Sequence, residues 1–233
     1  MVSDQSLAAE LRTVFVTGTD TGVGKTLVSA ALLHALARQQ RRVVGMKPIA
    51  AGLVRRGDAW VSDDVLALRA ASNVAVPPEL DNPVALPDAL SPHLAAARAG
   101  RRITVAQLHA AQRVLAERAD VVVVEGSGGW RVPLNEHETL ADLAIAMNAP
   151  VVLVVGLRLG CLNHALLTAE AIRADGLALA GWVANCIDPA MECVADNIAT
   201  LRARLNAPLL GVVRWLDVPD ARRITLELPE AWA

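Results

Sequence analysis

Two stretches of valine limit the fold more than anything else in this chain. In "DVVVVEG" (120–126) and "PVVLVVG" (150–156) the runs 121–124 and 151–155 are short, mostly β-branched and apolar at every position, with no polar residue on either side of the pleat. A strand of this kind must be buried on both faces, which a half-solvated antiparallel sheet does not allow. "TVFVT" (13–17), "RVVGMK" (42–47), "LAGWVAN" (179–185) and "APLLGVV" (207–213) read the same way. Alanine- and leucine-rich segments separate them and predict helices near 25–39, 62–71, 104–119, 161–175 and 191–205, with Thr104 a candidate N-cap. The proline-rich start of 82–100 reads as loop, with a short helix after Pro92. The expected architecture is therefore α/β: three layers, a mostly parallel sheet with helices on both faces. Right-handed crossovers place the C-terminal ends of such strands along one rim, and ligands bind outside that rim.

The 233 residues suit a single domain spanning 1–233, with 1–12 a flexible N-terminal segment. That segment has no basic start followed by an apolar stretch, so no signal peptide is expected. With no tyrosine and one phenylalanine, the core must be built from Val, Leu, Ile and Ala. The net charge of −2 comes with scattered arginines and no basic stripe, which argues against a nucleic-acid surface. No apolar run approaches the roughly 20 residues needed to span a membrane. Three cysteines, at 161, 186 and 193, lack metal-site spacing, and their odd number fits a reducing, cytoplasmic setting.

The unusual polar groups follow the apolar runs. "GTDTGVGKT" (18–26) follows the first, Lys47 ends the second, Glu125 follows the valines, Gly160 comes soon after "VVLVV", and Asn185 ends "GWVAN". Of 22 Lys and Arg residues only Lys25 and Lys47 are lysine. Gly18, Gly22 and Gly24 surround Lys25 and Thr26 between a strand and a helix, where backbone N–H groups and the helix dipole suit a phosphate. A compact ammonium fits between phosphate oxygens better than a planar guanidinium. Lys25 is expected to reach the β- and γ-phosphates and the Thr26 hydroxyl to bind Mg²⁺. The usual spacing puts a glycine where this chain has Thr19. Glu125 is a candidate hard-oxygen group for Mg²⁺. Asp63 and Asp64 open a helix, where the dipole alone favours acids; either is a candidate.

Taken together, "GTDTGVGKT", "MKPIAAG", "VEGSGGW", "LGCLNHALLT" and "GWVAN" resemble the dethiobiotin synthetase family, from about residue 13 to about 216. That resemblance implies an ATP- and Mg²⁺-dependent ligase that joins CO₂ to 7,8-diaminopelargonate and closes a cyclic urea. It implies that Thr21, Gly22, Val23, Gly24, Lys25, Thr26 and Leu27 hold the nucleotide. Asn185 would contact the adenine, with Arg214, Trp215 and Leu216 bordering it. Thr26, Asp64 and Glu125 would face the metal. Lys47, Ala51 and Gly128 would meet the substrate, and Lys47 with Lys25 and Thr21 would serve the chemistry. Gly160, Cys161 and Asn163 would hold the substrate carboxylate from the second subunit of a homodimer. The Cys161 thiol is expected to be inert, and His164 to be a structural helix residue. The chain departs from the family's pattern at Ala51, commonly a serine, and at Arg214, commonly a proline.

Carbamate formation, phosphorylation and intramolecular ring closure need positioning and charge stabilisation rather than a nucleophilic triad. The rival expectation is a partitioning or positioning ATPase of the same loop superfamily, a nucleotide-switched dimer. Such proteins usually carry an extra lysine early in the loop, and Thr19 to Gly22 contains none.

Overall fold

The structure is a computed structural model and describes residues 11–232. Of the expected flexible segment 1–12, residues 1–10 lie outside the described residues. Leu11 is buried, and the Arg12 guanidinium donates to the Ala116 carbonyl at 2.9 Å.

Strand β1 (Thr13–Gly18) leads through the glycine loop into α1 (Lys25–Arg38) and β2 (Val43–Met46). Then follow β3 (Ile49–Ala51), a hairpin of β4 (Val54–Arg56) and β5 (Ala59–Val61), α2 (Asp63–Ala71), the one-turn α3 (Pro78–Asp81) and β6 (Val84–Leu86). Next come α4 (Pro92–Arg98), α5 (Val105–Arg118), β7 (Val121–Glu125), α6 (Leu140–Met147), β8 (Val151–Leu157) and α7 (Cys161–Ala174). The chain closes with β9 (Leu179–Cys186), α8 (Val194–Arg204), β10 (Leu209–Val213) and two 3₁₀ turns, Ala221–Arg223 and Glu230–Trp232.

Six strands form a wholly parallel sheet in the order β10-β9-β8-β1-β7-β2. The continuous apolar runs now have their reason. Val122 and Val124 of β7 enter the core on one face, and Val121 and Val123 enter the other. Helices α5 to α8 supply Leu108, Leu115, Leu143, Ile172 and Leu201 to the first face. The second is covered by α1, α2 and the C-terminal segment through Ile224, Leu226 and Trp232.

The sheet's outer edges are closed locally, which removes unpaired strand groups that would invite another chain. On β2, the Asn73 side chain accepts from Val43 N at 2.7 Å and Ser72 Oγ from Gly45 N at 2.9 Å. On β10, Glu227 N donates to the Leu210 carbonyl at 2.8 Å.

The expectation of plain loop from Asn82 is corrected by β6, which pairs in parallel with β3. Its prolines, Pro83 and Pro87, flank the three residues and so remove no ladder donor within them. Val84 and Leu86 point inward and Ala85 outward, an alternation too short to read against the prolines. Helix α6 was not anticipated, although Thr139 and Asp142 form a capping box at its start. Helix α8 begins later than 191 because Cys193 stands in the left-handed region at φ 52°. Among the described residues no helix is long and apolar enough to cross a membrane.

Candidate functional site

The loop between β1 and α1 is held from below. Gly24 precedes the helix at φ 89°, a left-handed conformation natural to glycine. A Cβ there would lie 2.1 Å from Asn185 Nδ2, so the close approach also requires glycine. That Asn185 amide, buried at the end of β9, donates to the Val23 carbonyl at 2.8 Å. The residue that the resemblance assigns to the adenine is therefore also a prop under the loop. Arg214 and Trp215 are exposed beyond β10, while Leu216 and Leu27 pack against the second face of the core.

Lys25 Nζ donates to the Asp20 carbonyl at 2.9 Å across the mouth of the loop. Burial, with repulsion from Lys47 added, lowers its pKa to about 8, against the pull of Glu125, Asp64 and Asp20. The Asp20 carboxylate accepts from Thr21 N at 2.7 Å and from Arg158 at 2.5 Å. The Thr21 N–H, and the Arg158 guanidinium against some burial, hold it below the usual carboxylate range.

Both lysines reach one rim. Lys47, just beyond β2, places Nζ 2.5 Å from Glu125 Oε1 and 2.9 Å from Asp64 Oδ2. Thr26 Oγ1 lies 2.8 Å from Asp64 Oδ1 and 2.9 Å from Glu125 Oε1. Burial alone would lower the Lys47 pKa, but Glu125 and Asp64 outweigh it and hold the ammonium above its ordinary value. Burial likewise opposes the charged form of Asp64, and Lys47 with Thr26 outweighs it and keeps the carboxyl low. Between the two candidate acids, Asp64 turns toward the rim, while Asp63 pairs with Arg56 of the hairpin at 2.6 Å.

Mg²⁺ fits this donor set. Glu125 is fully buried, and its Oε2 has no hydrogen-bond partner. Beside it stand a hydroxyl and a second carboxylate, all hard oxygens. Among the described residues no group of three or more His, Cys, Asp or Glu gathers, so phosphate and water would complete the ion's shell.

The loop after β7 meets the same rim, where Lys47 Nζ donates to the Gly126 carbonyl at 3.4 Å. Ser127 Oγ donates to the Ile49 carbonyl at 2.8 Å, tying this loop to β3, whose last residue is Ala51. A Cβ on Gly128 would lie 3.6 Å from Thr21 Oγ1, so the two loops meet there. Trp130 anchors the far end: its ring packs edge-on against Phe15 at 6.0 Å, and Nε1 donates to Asp175 at 2.7 Å.

Gly160 and Asn163 are exposed at the start of α7, and Cys161 is buried with Sγ 4.0 Å from Asn197 Oδ1. The described contacts do not bring these three residues onto Lys47 or Glu125; their neighbour Arg158 does reach the glycine loop through Asp20. Arg158, Asp81, Asn82 and Arg69 escaped sequence reasoning. For Arg158 a signal existed, as a basic residue at a strand's C-terminal end. For the others none did, because their roles depend on which backbone they touch.

Comparison with solved structures places this geometry in a known fold. A ParA family ATPase from Chlorobium tepidum TLS is 10% identical with a TM-score of 0.54, over 89% of this chain and 85% of that one. The MinC:MinD cell division protein complex of Aquifex aeolicus is 17% identical with a TM-score of 0.52, over 90% and 83%. The cell division protein FtsY of Thermotoga maritima is 18% identical with a TM-score of 0.50, over 100% and 71%. The chain shares its three-layer, mostly parallel α/β fold with these structures. The family model AAA_26, an AAA domain, matches residues 12–223, and the chain belongs to that family.

Proposed function

We propose that this chain is a dethiobiotin synthetase, an ATP-dependent ligase that closes a cyclic urea from 7,8-diaminopelargonate and CO₂. The matching family includes dethiobiotin synthase. The observation that carries the reading is the pairing of the chain's two lysines across one rim, with Lys47 gripped by Glu125 and Asp64 beside Thr26. A phosphate-loop ATPase needs Lys25; a second buried ammonium at the end of β2 points to a second anion next to the γ-phosphate.

In this reading one substrate amine adds to CO₂ and loses a proton, giving a carbamate. The carbamate oxygen attacks the γ-phosphorus of ATP, and the bond to ADP breaks. The neighbouring amine then attacks the carbamoyl carbon, inorganic phosphate departs, and the ring closes with loss of a second proton. Lys25 and the loop amides hold the phosphates in line. Lys47 lies between two anions that repel each other and stabilises the charge that develops as they meet. Gly128 presents backbone groups to the substrate beside Ala51. Mg²⁺, held by Thr26, Asp64 and Glu125, would neutralise phosphate charge. The reading carries a homodimer in which the α7 start of one subunit, Gly160 to Asn163, takes the substrate carboxylate of the other. It places the protein in the cytoplasm, with no role for nucleic acid or membrane.

Incubation with ATP, Mg²⁺, bicarbonate and candidate diamines, followed by mass detection, is expected to give a cyclic urea 26 Da heavier than the diamine (about the mass of CO₂ less H₂O) and stoichiometric phosphate. The similarity to ParA and MinD structures favours a second reading, a nucleotide-switched partitioning or positioning ATPase. Diamine-independent ATP hydrolysis without any cyclic urea would favour that alternative and count against the ligase.

A further inference from the structure

Lys47 is held by its surroundings at both ends of its side chain, and helix α2 bears on both: directly at the ammonium, where Glu125 also grips at 2.5 Å, and through Arg69 at the main chain. At the far end, Asp64 in the first turn of α2 meets the ammonium at 2.9 Å. At the near end, the main chain of Lys47 has left the β2 ladder, and its polar groups are taken by two consecutive residues. Lys47 N donates to the Asp81 carbonyl at 2.8 Å, and the Asn82 side-chain amide donates to the Lys47 carbonyl at 2.7 Å. The same amide reaches the Val84 carbonyl at 3.2 Å, so it spans from β2 to β6.

The Asp81–Asn82 pair is itself fixed from α2. Asp81 is 3% exposed, and Arg69 takes both of its oxygens, with Nε and an Nη at 2.6 Å each. A two-point guanidinium–carboxylate pair fixes orientation as well as distance, and a lysine cannot reproduce it. Without Arg69 a buried carboxylate would lack its counter-charge and turn toward solvent, carrying residues 81 and 82 with it. The clamp on Lys47 would then open although nothing touching the ammonium had changed.

We infer that Arg69 is a positioning residue for Lys47, acting through Asp81 and Asn82 to fix the main-chain point from which the ammonium is directed at the rim. What Lys47 does once directed rests on the proposed ligase reaction; where it points does not.

The chain's two lysines make the test direct. Incorporation of ¹³C-lysine gives one CεH₂ signal set for Lys25 and one for Lys47, assigned with Lys47→Arg. In Arg69→Ala the Lys47 signals are expected to shift and broaden while those of Lys25 stay in place. ATP affinity should remain within about twofold, and cyclic-urea turnover should fall roughly 10- to 100-fold in kcat, as a displacement of about 1 Å does. Arg69→Lys should recover only part of the loss. A folded Arg69→Ala protein with unmoved Lys47 signals overturns the inference, whatever its turnover. Should Arg69→Ala fail to fold, Arg69→Lys decides by the same signals, since it keeps the counter-charge to Asp81 and removes the two-point geometry; unmoved Lys47 signals there overturn the inference. The signals need no substrate, so absence of cyclic urea in the wild type refutes the reaction and leaves the positioning result standing.

Discussion

At the scale of single residues, Lys47 and Lys25 are both buried ammonium groups, but their electrostatics differ in sign. Glu125 is fully buried and depends on Lys47 for its counter-charge. Lys47→Ala is therefore expected to cost about 3–5 kcal/mol of stability, besides most of the turnover, while the phosphate loop still binds nucleotide. Adding Glu125→Gln removes the stranded charge and should restore much of that stability without restoring turnover. Urea denaturation of both variants checks this, and equal instability of the single and double variants would count against it. Lys25 is the reverse case, with its pKa lowered to about 8 chiefly by burial. A bound phosphate favours the charged ammonium and raises that pKa, so binding draws in protons where the free lysine has lost them. Near pH 8 nucleotide binding should take up about half a proton, and near pH 6 almost none. Calorimetry in two buffers of unlike ionisation enthalpy measures the uptake, and Lys25→Ala should abolish it.

At the scale of elements, α2 and the residues after it form a splint along β2. Asn73 accepts from Val43 N and donates to the Arg41 carbonyl at 2.9 Å, Ser72 serves Gly45, and Asp81 serves Lys47. Asn73→Ala leaves strand groups unpaired at the sheet edge. A loss of about 1–3 kcal/mol in denaturant unfolding is expected, with the amides of β2 exchanging faster. A change within error would mean that water replaces the side chain freely. The main helices and strands were legible because each face of the sheet needs an apolar lining, and "VVVV" can supply both only when covered twice. The β3–β6 pair and the β4–β5 hairpin were not legible. Three residues carry too little periodicity, and their pairing depends on where the larger sheet ends.

At the scale of the whole molecule, the candidate rim joins the ends of β1, β2 and β7, and α7 begins beyond the end of β8, the strand next to β1. If that helix start serves a neighbouring subunit, two differently damaged chains should repair each other. Asn163 is exposed, and Asn163→Glu would repel an arriving carboxylate without disturbing the core. A Lys47→Ala chain and an Asn163→Glu chain, each inactive alone, would form mixed dimers with one intact site of two. An equimolar mixture after subunit exchange should reach about a quarter of wild-type turnover. No recovery in demonstrably mixed dimers would place both residues in the same subunit's site.

The sequence alone determined the layered parallel sheet, the glycine loop and the rim on which Lys25, Lys47 and Glu125 would be sought, with Asp63 and Asp64 both left as candidates. Those follow from local apolar patterning and from glycines placed between a strand and a helix, which neighbours along the chain dictate. Only the tertiary structure decided that Asp64 faces the rim while Asp63 pairs with Arg56, that Asn185 props the loop, and that Arg69 reaches Lys47 through Asp81. Each is a contact between residues distant in sequence or on opposite sides of one helix turn. Its partner is chosen by how helices seat on the sheet, and residue type does not carry that information.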